Sequence, residues 1–414
     1  MPLPARGQPK SEVLARMRSL KARDADWRGG RTFSLVYPAG PAVDEMLREA
    51  AELYLYENAL NPFRFPGLRA LEDQVVEIAG ELLHAPADSG GSFSSGGTES
   101  ILLAVLSARE RARAERGVRA PVLLAPRSAH PAFAKAAHYL GLRHVQIPLG
   151  GDFRADLGAA EELLGEHGDE AALVVGSAPN YPFGVVDPIP ELAALAAARG
   201  ISFHTDACLG GFLLPFWAEI GEAVPPFDFR VPGVTTLSAD VHKYGYCIKG
   251  ASVVLHRRRE DLNRYQLFLY DAWPGGTYGS FGMTGARPSA PIAAAWAVLH
   301  HLGRDGYLAL ARRLRESVRA LREGITAIPG LRLLGDPVMS VLAFAAEGFD
   351  VFALGDRMDA RGWHLDRQKN PDALHLVLSP EHDRVLERFL ADLRESAREA
   401  ASGPRAGGRE ARYS

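Results

Sequence analysis

The sequence predicts an α/β protein built on a mainly parallel sheet with helices on both faces. Between about residue 90 and about residue 300, short apolar runs alternate with amphipathic segments, a pattern typical of parallel strands joined by helices. The chain has 414 residues, of which 47% are hydrophobic and 23% charged, so it can bury a large core in two or three lobes. Polar side chains follow directly after several apolar runs, as they do where the strands of such a sheet end at a binding site.

The first 60 residues are predicted to form a helical arm. The segments SEVLARMRSLKAR and AVDEMLREAAELYLYENAL carry apolar residues at helical spacing, and GGRTFSLVYPAGP joins them as a loop-rich link. Residues 61–304 are expected to form the large domain. Strands are predicted there at PVLLAP, HVQIPL, ALVVGSAP, ISFHTDA, TTLSAD and ASVVLH, with helical segments such as IPELAALAAARG between several of them.

Residues 305–400 are expected to form a smaller α+β domain. The segments that indicate it are YLALARRLRESVRALREGITAI, LRLLG, SVLAFAA, DVFALGDRMDARG, ALHLVLS and HDRVLERFLADLRESAREA. Residues 401–414 are rich in glycine and arginine and are predicted to be a poorly ordered tail.

Composition and charge narrow the classes of function. Lysine and arginine total 47 against 50 for aspartate and glutamate, with a net charge of -3, so nucleic acid is not an expected partner. The only cysteines are Cys208 and Cys247, which indicates a reducing, cytoplasmic setting rather than a disulfide framework. A signal peptide and an apolar run of roughly 20 residues are both missing, so a soluble protein is expected. No metal site is predicted.

The first candidate site lies in SSGGTESILLAVLSARERARAERG, where a glycine turn leads into an amphipathic helix predicted to begin near Thr98. Backbone N–H groups are free at a helix start, and the turn at Gly97 makes this one a ready anion site. The alternative is an ordinary helix cap, with Glu99 favourable at the positive end of the helix dipole.

Two further candidates follow predicted strands. Asp206, in ISFHTDACLGG, stands where an apolar strand ends, and ligands of open α/β sheets collect beyond the carboxyl ends of strands. Its alternative role is a helix cap or turn residue. His242 and Lys243 follow TTLSAD within SADVHKYGYCIKG. A lysine held out of bulk water favours its amine form, which can form a Schiff base with an aldehyde, although an isolated lysine is far more often a surface residue.

Taken in this order, the candidates match what pyridoxal phosphate requires of a protein. The glycine turn supplies a phosphate cradle, Asp206 a carboxylate for the pyridine nitrogen, and Lys243 an amine for the aldehyde. His130, in SAHPAFAKAAHYLG, is placed to stack on the cofactor ring, and its alternative is a loop or core histidine. Pyridoxal 5'-phosphate is therefore the predicted cofactor.

The chain resembles the sphingosine-1-phosphate lyases, within the fold-type I pyridoxal-phosphate enzymes that include the glutamate and aromatic amino-acid decarboxylases. The resemblance runs through nearly the whole chain and rests on NPFRFPGLRALE, SSGGTESILLA, SAHPAFAKAAHYLG, GVVDPIPELAALA, DACLGGFLLPF, PFDFRVPGVTTLSADVHKYGY and KGASVVL. Within the group, DACLGG and SADVHKYGYCIKG are specific to the lyases. The resemblance implies a large domain with a seven-stranded, mainly parallel sheet, a smaller α+β C-terminal domain and a helical N-terminal arm.

The resemblance also implies roles for individual residues. At the cofactor, Lys243 is the implied Schiff-base lysine, Asp206 the pyridine partner and His130 the stacking residue. The implied contacts of the cofactor or its phosphate are Gly97, Thr98 and His242. The residues implied at the substrate's phosphate and polar head are Tyr37, Asn58, Tyr181, Lys249 and Tyr413.

One position departs from the family pattern. The lyases carry a histidine where this chain has Asn61, in NALNPFRFPG. An amide cannot take up a proton or a positive charge near neutral pH. Asn61 is therefore a candidate substrate-binding residue that offers hydrogen bonds but no charge.

The implied reaction is a retro-aldol cleavage of a phosphorylated long-chain base to a long-chain aldehyde and phosphoethanolamine. Lys243, Tyr181 and His242 are the candidate bases for the C3 hydroxyl, and the sequence does not choose among them. The closest rival is an amino-acid decarboxylase, whose substrate carboxylate calls for a bidentate arginine, whereas the cluster offers Lys249, tyrosines and amides. A binding protein on an inherited enzyme scaffold is a second rival, and the joint presence of Asp206, His242 and Lys243 argues against it.

Fold-type I enzymes generally work as dimers, so the resemblance implies a homodimer whose active sites draw on both subunits. The loop GGTYGSFGMTGARPSA is expected near the partner's cofactor phosphate. The predicted partners are thus a phosphorylated sphingoid base and a second copy of this chain.

Overall fold

A seven-stranded sheet forms the centre of the structure, a computed structural model that describes residues 2–402. The strands are β1 (Gly90–Ser94), β2 (Val122–Pro126), β3 (Arg143–Ile147), β4 (Ala171–Ser177), β5 (Ser202–Asp206), β6 (Thr236–Ala239) and β7 (Ser252–His256). Their order across the sheet is β1-β7-β6-β5-β4-β2-β3. The five neighbouring strands β3, β2, β4, β5 and β6 are mutually parallel, whereas β7 runs antiparallel to both β6 and β1. The mainly parallel sheet is therefore confirmed.

Helices cover both faces of this sheet. The helices of the described residues are α1 (Lys10–Lys21), α2 (Pro41–Leu53), α3 (Pro66–Leu82), α4 (Gly97–Arg116), α5 (Ala132–Leu140), α6 (Leu157–His167), α7 (Ile189–Ala197), α8 (Leu214–Glu219), α9 (Arg259–Asp261), α10 (Ala290–Thr326), α11 (Val351–Ala360) and α12 (Leu386–Ser402). Successive strand residues point to opposite faces. Leu123 accordingly packs with apolar residues of α4 and α5, and Leu124 belongs to the core on the other face.

A second, antiparallel sheet lies in the C-terminal part of the chain. After a short hairpin of β8 (Phe268–Tyr270) and β9 (Tyr278–Ser280), the remaining strands are β10 (Leu331–Leu333), β11 (Val341–Ala346), β12 (Asp366–Gln368) and β13 (Ala373–Val377). They pair in the order β10-β11-β13-β12. Together with α11 and α12 this sheet forms the smaller α+β unit that the sequence predicts.

The N-terminal arm contains two different kinds of segment. No residue of α1 is buried. By contrast, Phe33 is fully buried and stacks on His382 with a centroid distance of 4.4 Å. The chain around Phe33 also pairs with the C-terminal unit, because the Val377 N–H donates to the Phe33 carbonyl oxygen. The stretch between α1 and α2 is thus fixed against the small domain.

The long helix α10 bends at Gly303, whose φ of 55° and ψ of -179° are not helical. Glycine tolerates such a backbone conformation, which other residues rarely adopt. The bend lies beside the predicted boundary between residues 304 and 305. The boundaries at 60, 304 and 400 remain predictions.

All the strands predicted in the large domain are present, but several features differ from expectation. The helix α2 ends at Leu53 although helical spacing continues to residue 60. The strands β1, β8, β9 and β12 have no predicted counterpart. The sequences of β1 and β12, GGSFS and DRQ, lack the apolar, β-branched composition by which strands are recognised.

Candidate active site

The carboxyl ends of β4, β5 and β6 open into a cavity of about 350 Å³. Ligands collect at such strand ends in open α/β sheets. The predicted site residues that line it are Gly97, Thr98, His130, Tyr181, Asp206, His242 and Lys243. The structure therefore brings the whole predicted cofactor set together in one chain.

The glycine turn forms one wall of the cavity. The helix α4 begins at Gly97, one residue before the predicted start, with Gly96 as its N-cap. A Cβ on Gly97 would lie 2.8 Å from Asp240 Oδ2 and 2.9 Å from Cys208 Sγ, so only glycine allows this close approach. Because the helix start presents N–H groups and the positive end of its dipole, the turn suits a phosphate.

Asp206 is the last residue of β5, and its side chain is buried. Its Oδ1 accepts hydrogen bonds from the Cys208 backbone N–H at 3.1 Å and from the Ser238 hydroxyl at 3.4 Å. These donors fix the direction of the carboxylate at the cavity wall. A carboxylate held in this way can bind a protonated pyridine nitrogen.

His130 lies at the cavity in the turn after β2. Its Nδ1 accepts a hydrogen bond from the Ala132 backbone N–H at 3.1 Å, so the neutral ring carries its proton on Nε2. Burial lowers the pKa of His130, an effect that the Asp206 carboxylate partly opposes. The ring is therefore uncharged near neutral pH, which suits a group that stacks on an aromatic cofactor.

Lys243 is paired with a buried carboxylate that the sequence analysis did not assign. Asp240 is the first residue after β6, and its Oδ2 lies 3.0 Å from Lys243 Nζ. Burial alone would lower the pKa of Lys243, but nearby anionic groups, chiefly Asp240, raise it. Burial alone would raise the pKa of Asp240, but the Lys243 ammonium lowers it. The sequence did contain a signal for this ion pair, because Asp240 and Lys243 stand three residues apart in a turn after a predicted strand.

His242 is a neutral ring that lies between a backbone N–H and the Asp240 carboxylate. Its Nδ1 accepts the Ala251 backbone N–H at 3.2 Å, so its proton lies on Nε2, 3.5 Å from Asp240 Oδ2. Burial lowers the pKa of His242 to about 4, although Asp240 opposes the shift. The ring is thus fixed by a backbone N–H on one side and a carboxylate on the other.

Two predicted substrate residues, Tyr37 and Lys249, lie together beside this turn. Lys249 Nζ donates to the His242 carbonyl oxygen at 3.1 Å and lies 4.8 Å from the centre of the Tyr37 ring. Lys249 is at the surface, yet surrounding protein atoms partly desolvate its ammonium. With repulsion from Lys243, this lowers the pKa of Lys249 to about 8. The pair forms a cationic and aromatic patch next to the cofactor lysine.

Tyr181 is held by the small domain. Its hydroxyl donates to Asp366 Oδ2 at 2.8 Å, and His375 Nε2 donates to its carbonyl oxygen at 2.7 Å. The His375 ring also packs on the Tyr181 ring, with centroids 4.2 Å apart. Asp366 and His375 face each other across β12 and β13. Neither residue was recognised from the sequence, because the short polar strand that carries Asp366 gives no pattern.

Asn58 and Asn61 do not line the cavity of their own chain. Asn58 Oδ1 accepts the backbone N–H groups of Leu60 at 3.0 Å and of Arg287 at 3.2 Å. Asn61 Oδ1 accepts the N–H groups of the second and third residues after it, both at 3.1 Å. The Asn61 oxygen therefore stabilises a local turn, and the Asn58 oxygen joins its own turn to the loop before α10. Tyr413 lies outside the described residues.

The segment around Asn58 borders a second cavity, of about 790 Å³, which α3, β1 and the loop after β9 also line. Large apolar side chains of the same segment are exposed, among them Leu53 at 75%, Tyr56 at 92% and Phe63 at 93%. An apolar surface of this kind is typical of a protein–protein contact. The predicted substrate residues thus fall into two groups, one beside Lys243 and one at this surface.

The cradle, the fixed carboxylate, the neutral ring and the amine together fit pyridoxal phosphate. The fit rests on the donor set and on the close approach that Gly97 allows. Across residues 2–402, His, Cys, Asp and Glu side chains form no group of three or more that could hold a metal ion. Over the same range no helix has both the length and the apolar character to cross a bilayer.

The fold and the cavity define a fold-type I enzyme of the pyridoxal-phosphate-dependent class. A family model described as the pyridoxal-dependent decarboxylase conserved domain matches residues 26–347. Glutamate decarboxylase from Lactobacillus brevis is similar in structure with a TM-score of 0.84, over 98% of this chain and 96% of that one. At 20% identity this likeness shows the fold alone.

The similarity to one group of lyases is much closer. Sphingosine-1-phosphate lyase 1 from Rattus norvegicus is 40% identical over 407 residues, covering 98% of this chain and 71% of that protein. A solved sphingosine-1-phosphate lyase from Burkholderia pseudomallei has a TM-score of 0.92 at 40% identity, over 97% of this chain and 93% of that one. The chain belongs to the sphingosine-1-phosphate lyase family. This confirms the predicted resemblance, fold and cofactor.

Proposed function

We propose that this protein cleaves a phosphorylated long-chain sphingoid base to a long-chain aldehyde and phosphoethanolamine, with pyridoxal 5'-phosphate as its cofactor. Its relatives carry the name sphingosine-1-phosphate lyase in animals, plants and bacteria. The residues that such a reaction requires at the cofactor line one cavity. Decarboxylases share these cofactor residues, so it is the names of the close relatives that favour retro-aldol cleavage over decarboxylation.

The observation that carries this proposal is the lysine beside the cavity. Lys249 Nζ lies 3.1 Å from the His242 carbonyl oxygen and 4.8 Å from the Tyr37 ring centre. Lysine meets a phosphate as a point charge, whereas an amino-acid carboxylate calls for the fork of an arginine. No arginine is among the described residues that line the cavity. Lys249 and Tyr37 therefore favour a phosphate monoester over an amino acid.

Separate groups of the chain would hold the cofactor. Gly97 and Thr98 would bind its phosphate at the start of α4, and Asp206 would bind the pyridine nitrogen. His130 would cover one face of the ring, and Lys243 would bind the aldehyde. Bound there, pyridoxal phosphate supplies the electron sink for the bond that breaks.

Lys243 is the residue we assign as acceptor of the C3 hydroxyl proton. Asp240 lies 3.0 Å from Nζ and favours the charged form, so the neutral amine is a strong proton acceptor. His242 is unsuited to this role, because Nδ1 already accepts a backbone N–H and burial lowers its pKa to about 4. The Tyr181 hydroxyl, which donates to Asp366, is placed to orient the substrate hydroxyl.

The proposed active unit is a homodimer in which each cavity is completed by the partner. Asn58 and Asn61 do not line their own cavity, and their segment, which borders the second cavity, has exposed aromatic side chains. The loop of residues 275–290 borders the same surface, and its Met283 N–H donates to Glu99 at the start of α4 at 2.8 Å. A second copy placed there would receive Asn58 and Asn61 at its cavity, with the loop near its cofactor phosphate.

The proposed compartment is the cytoplasm. Cys208 and Cys247 are both buried, free thiols. Unpaired cysteines of this kind are typical of a reducing environment.

The reaction is tested by incubating the purified, cofactor-loaded protein with sphingosine-1-phosphate and measuring phosphoethanolamine and fatty aldehyde. Lys243→Ala is the control. Wild-type protein is expected to form both products in equal amounts, and the control is expected to form neither. If the visible absorption of the bound cofactor is present but no product forms, the lyase assignment is wrong. Amino-acid decarboxylation would then be the activity to assay.

A further inference from the structure

We propose that Asp240 is a positioning residue that controls how readily Lys243 takes up the cofactor. The two residues share the turn after β6, where the Lys243 N–H donates to the Asp240 carbonyl oxygen at 3.2 Å. The turn directs both side chains the same way, with Asp240 Oδ2 3.0 Å from Lys243 Nζ. Because the Asp240 side chain is only 1% exposed, water screens this ion pair weakly.

The same carboxylate contacts the other groups of the cofactor site. Asp240 Oδ2 lies 3.5 Å from the protonated Nε2 of His242. It also lies 2.8 Å from the position that a Cβ on Gly97 would occupy, directly against the phosphate turn. A negative charge here would repel an incoming phosphate unless a cation neutralised it. The Lys243 ammonium is that cation.

Holding Lys243 as an ammonium has a kinetic consequence. An amine must be neutral to add to an aldehyde, so the nitrogen first releases a proton to solvent. It then forms a C=N bond to the aldehyde carbon, and the aldehyde oxygen leaves as water with the two remaining amine hydrogens. Asp240 opposes the release of the proton from Lys243, because its negative charge stabilises the ammonium. Uptake of the cofactor is therefore expected to be slow at neutral pH and to accelerate as pH rises.

Several other titratable groups also face Lys243. They are Tyr37, His130, Asp206, Cys208, His242 and Lys249. Asp206 is another carboxylate that lines the cavity, and it acts on Lys243 more weakly than Asp240 does. Replacing either carboxylate by its amide changes one charge at nearly constant shape. Asp206→Asn is thus a matched control for Asp240→Asn.

The experiment mixes the cofactor-free, full-length protein with pyridoxal phosphate between about pH 6 and about pH 9 and follows the visible absorption of the lysine-bound cofactor. Dividing each variant's rate by the wild-type rate at the same pH cancels the titration of the cofactor itself. For Asp240→Asn we expect a ratio of about ten or more at neutral pH, declining at alkaline pH, where the variant's lysine is already neutral. For Asp206→Asn, whose carboxylate acts on Lys243 more weakly, the ratio should vary much less with pH. A ratio of one or less for Asp240→Asn throughout this range would overturn the proposal.

A second measurement needs no variant, in case Asp240→Asn does not fold. Wild-type protein without cofactor is labelled with a small amine-reactive reagent, and each lysine is read by mass spectrometry. The labelling rate of Lys249, whose pKa is about 8, should level off near that pH, while that of Lys243 continues to rise. Levelling of both rates at the same pH would contradict the proposal. Neither measurement uses a lyase substrate, so its outcome is independent of the proposed reaction.

Discussion

The cofactor cavity and the segment around Asn58 are built in different ways. In the cavity, His130, Asp206 and Asp240 lie at or just after the ends of strands in one sheet, so the parallel topology brings them together within a single chain. In the segment, the side-chain oxygens of Asn58 and Asn61 accept backbone N–H groups, and neighbouring aromatic residues are exposed. The cofactor-binding set is complete within one chain, whereas the segment faces a surface that a second chain could cover.

This difference separates cofactor binding from substrate recognition. The sheet alone determines where the cofactor groups lie. The proposed substrate groups come from several parts of the molecule: Tyr37 from the N-terminal arm, Tyr181 and Lys249 from loops of the large domain, and, in the proposed dimer, Asn58 from the partner subunit. Substitutions in the cavity should therefore have the largest effects, and those in the segment the smallest.

Removing the cofactor lysine should have the largest effect. Lys243→Ala is expected to lower product formation by about a thousandfold or more, because covalent attachment and the proposed base are both lost. Its visible lysine-linked absorption should also disappear. Lys249→Ala is the matched control, which should retain that absorption because Lys249 lies beside the cavity rather than in it. Normal turnover by Lys243→Ala would contradict the assignment.

The contact between Tyr181 and the small domain should have the next largest effect. Tyr181→Phe and Asp366→Ala each remove the 2.8 Å hydrogen bond between these side chains and are expected to lower kcat by about ten- to a hundredfold. Because both act through one contact, the double variant should be little worse than either single one. Steady-state kinetics of the four proteins test this. Fully additive losses would show that the two residues act separately.

The charge of Lys249 predicts a pH dependence. Desolvation by surrounding protein atoms and repulsion from Lys243 lower the pKa of Lys249 to about 8. Lys249 is therefore charged below that pH and loses its charge above it. If it binds the substrate phosphate, kcat/KM should fall as pH rises through about 8. Lys249→Arg should hold kcat/KM constant to higher pH, since guanidinium stays charged. If kcat/KM of Lys249→Arg falls over the same pH range as in the wild type, Lys249 does not bind the substrate phosphate.

The smallest effect is expected at Asn61. Asn61→His restores the residue of the related lyases but removes an amide that accepts two backbone N–H groups at 3.1 Å. We expect a loss of about 1 kcal/mol in the free energy of unfolding and a change in KM of only a few-fold. Denaturant unfolding and kinetics measure the two effects. A loss of more than a hundredfold in activity would place Asn61 in the catalytic cavity itself.

The sequence predicted the sheet well because parallel strands are apolar on both faces. AALVVGS in β4, for example, is buried at every position and stands out from its surroundings. β1 was missed because its glycines are required by packing: a Cβ on Gly91 would lie 2.6 Å from a Leu255 side-chain carbon. Such a requirement depends on a partner strand far away in sequence, so local patterns do not reveal it.

The same limit applies to the candidate site. Asp206, His242 and Lys243 could be predicted because each follows a recognisable strand. The link between Tyr181 and Asp366 joins residues 185 positions apart, and no local pattern indicates it. Asp240 stood in a quoted motif, but its role depends on the side-chain directions within the turn. The second group of substrate residues could be located only once the structure showed that they lie away from the cavity.

The most direct test of the division between the two regions combines two defective subunits. Lys243→Ala removes the cofactor lysine, and Asn58→Asp keeps a side-chain oxygen for the backbone N–H groups while placing a negative charge opposite the substrate phosphate. The two chains are co-expressed with different tags, and the mixed dimer is purified. If Asn58 serves the partner's cavity, one cavity carries both defects and the other none, so about half of the wild-type activity per dimer should return. Activity no greater than that of the two defective homodimers would show that Asn58 serves its own chain.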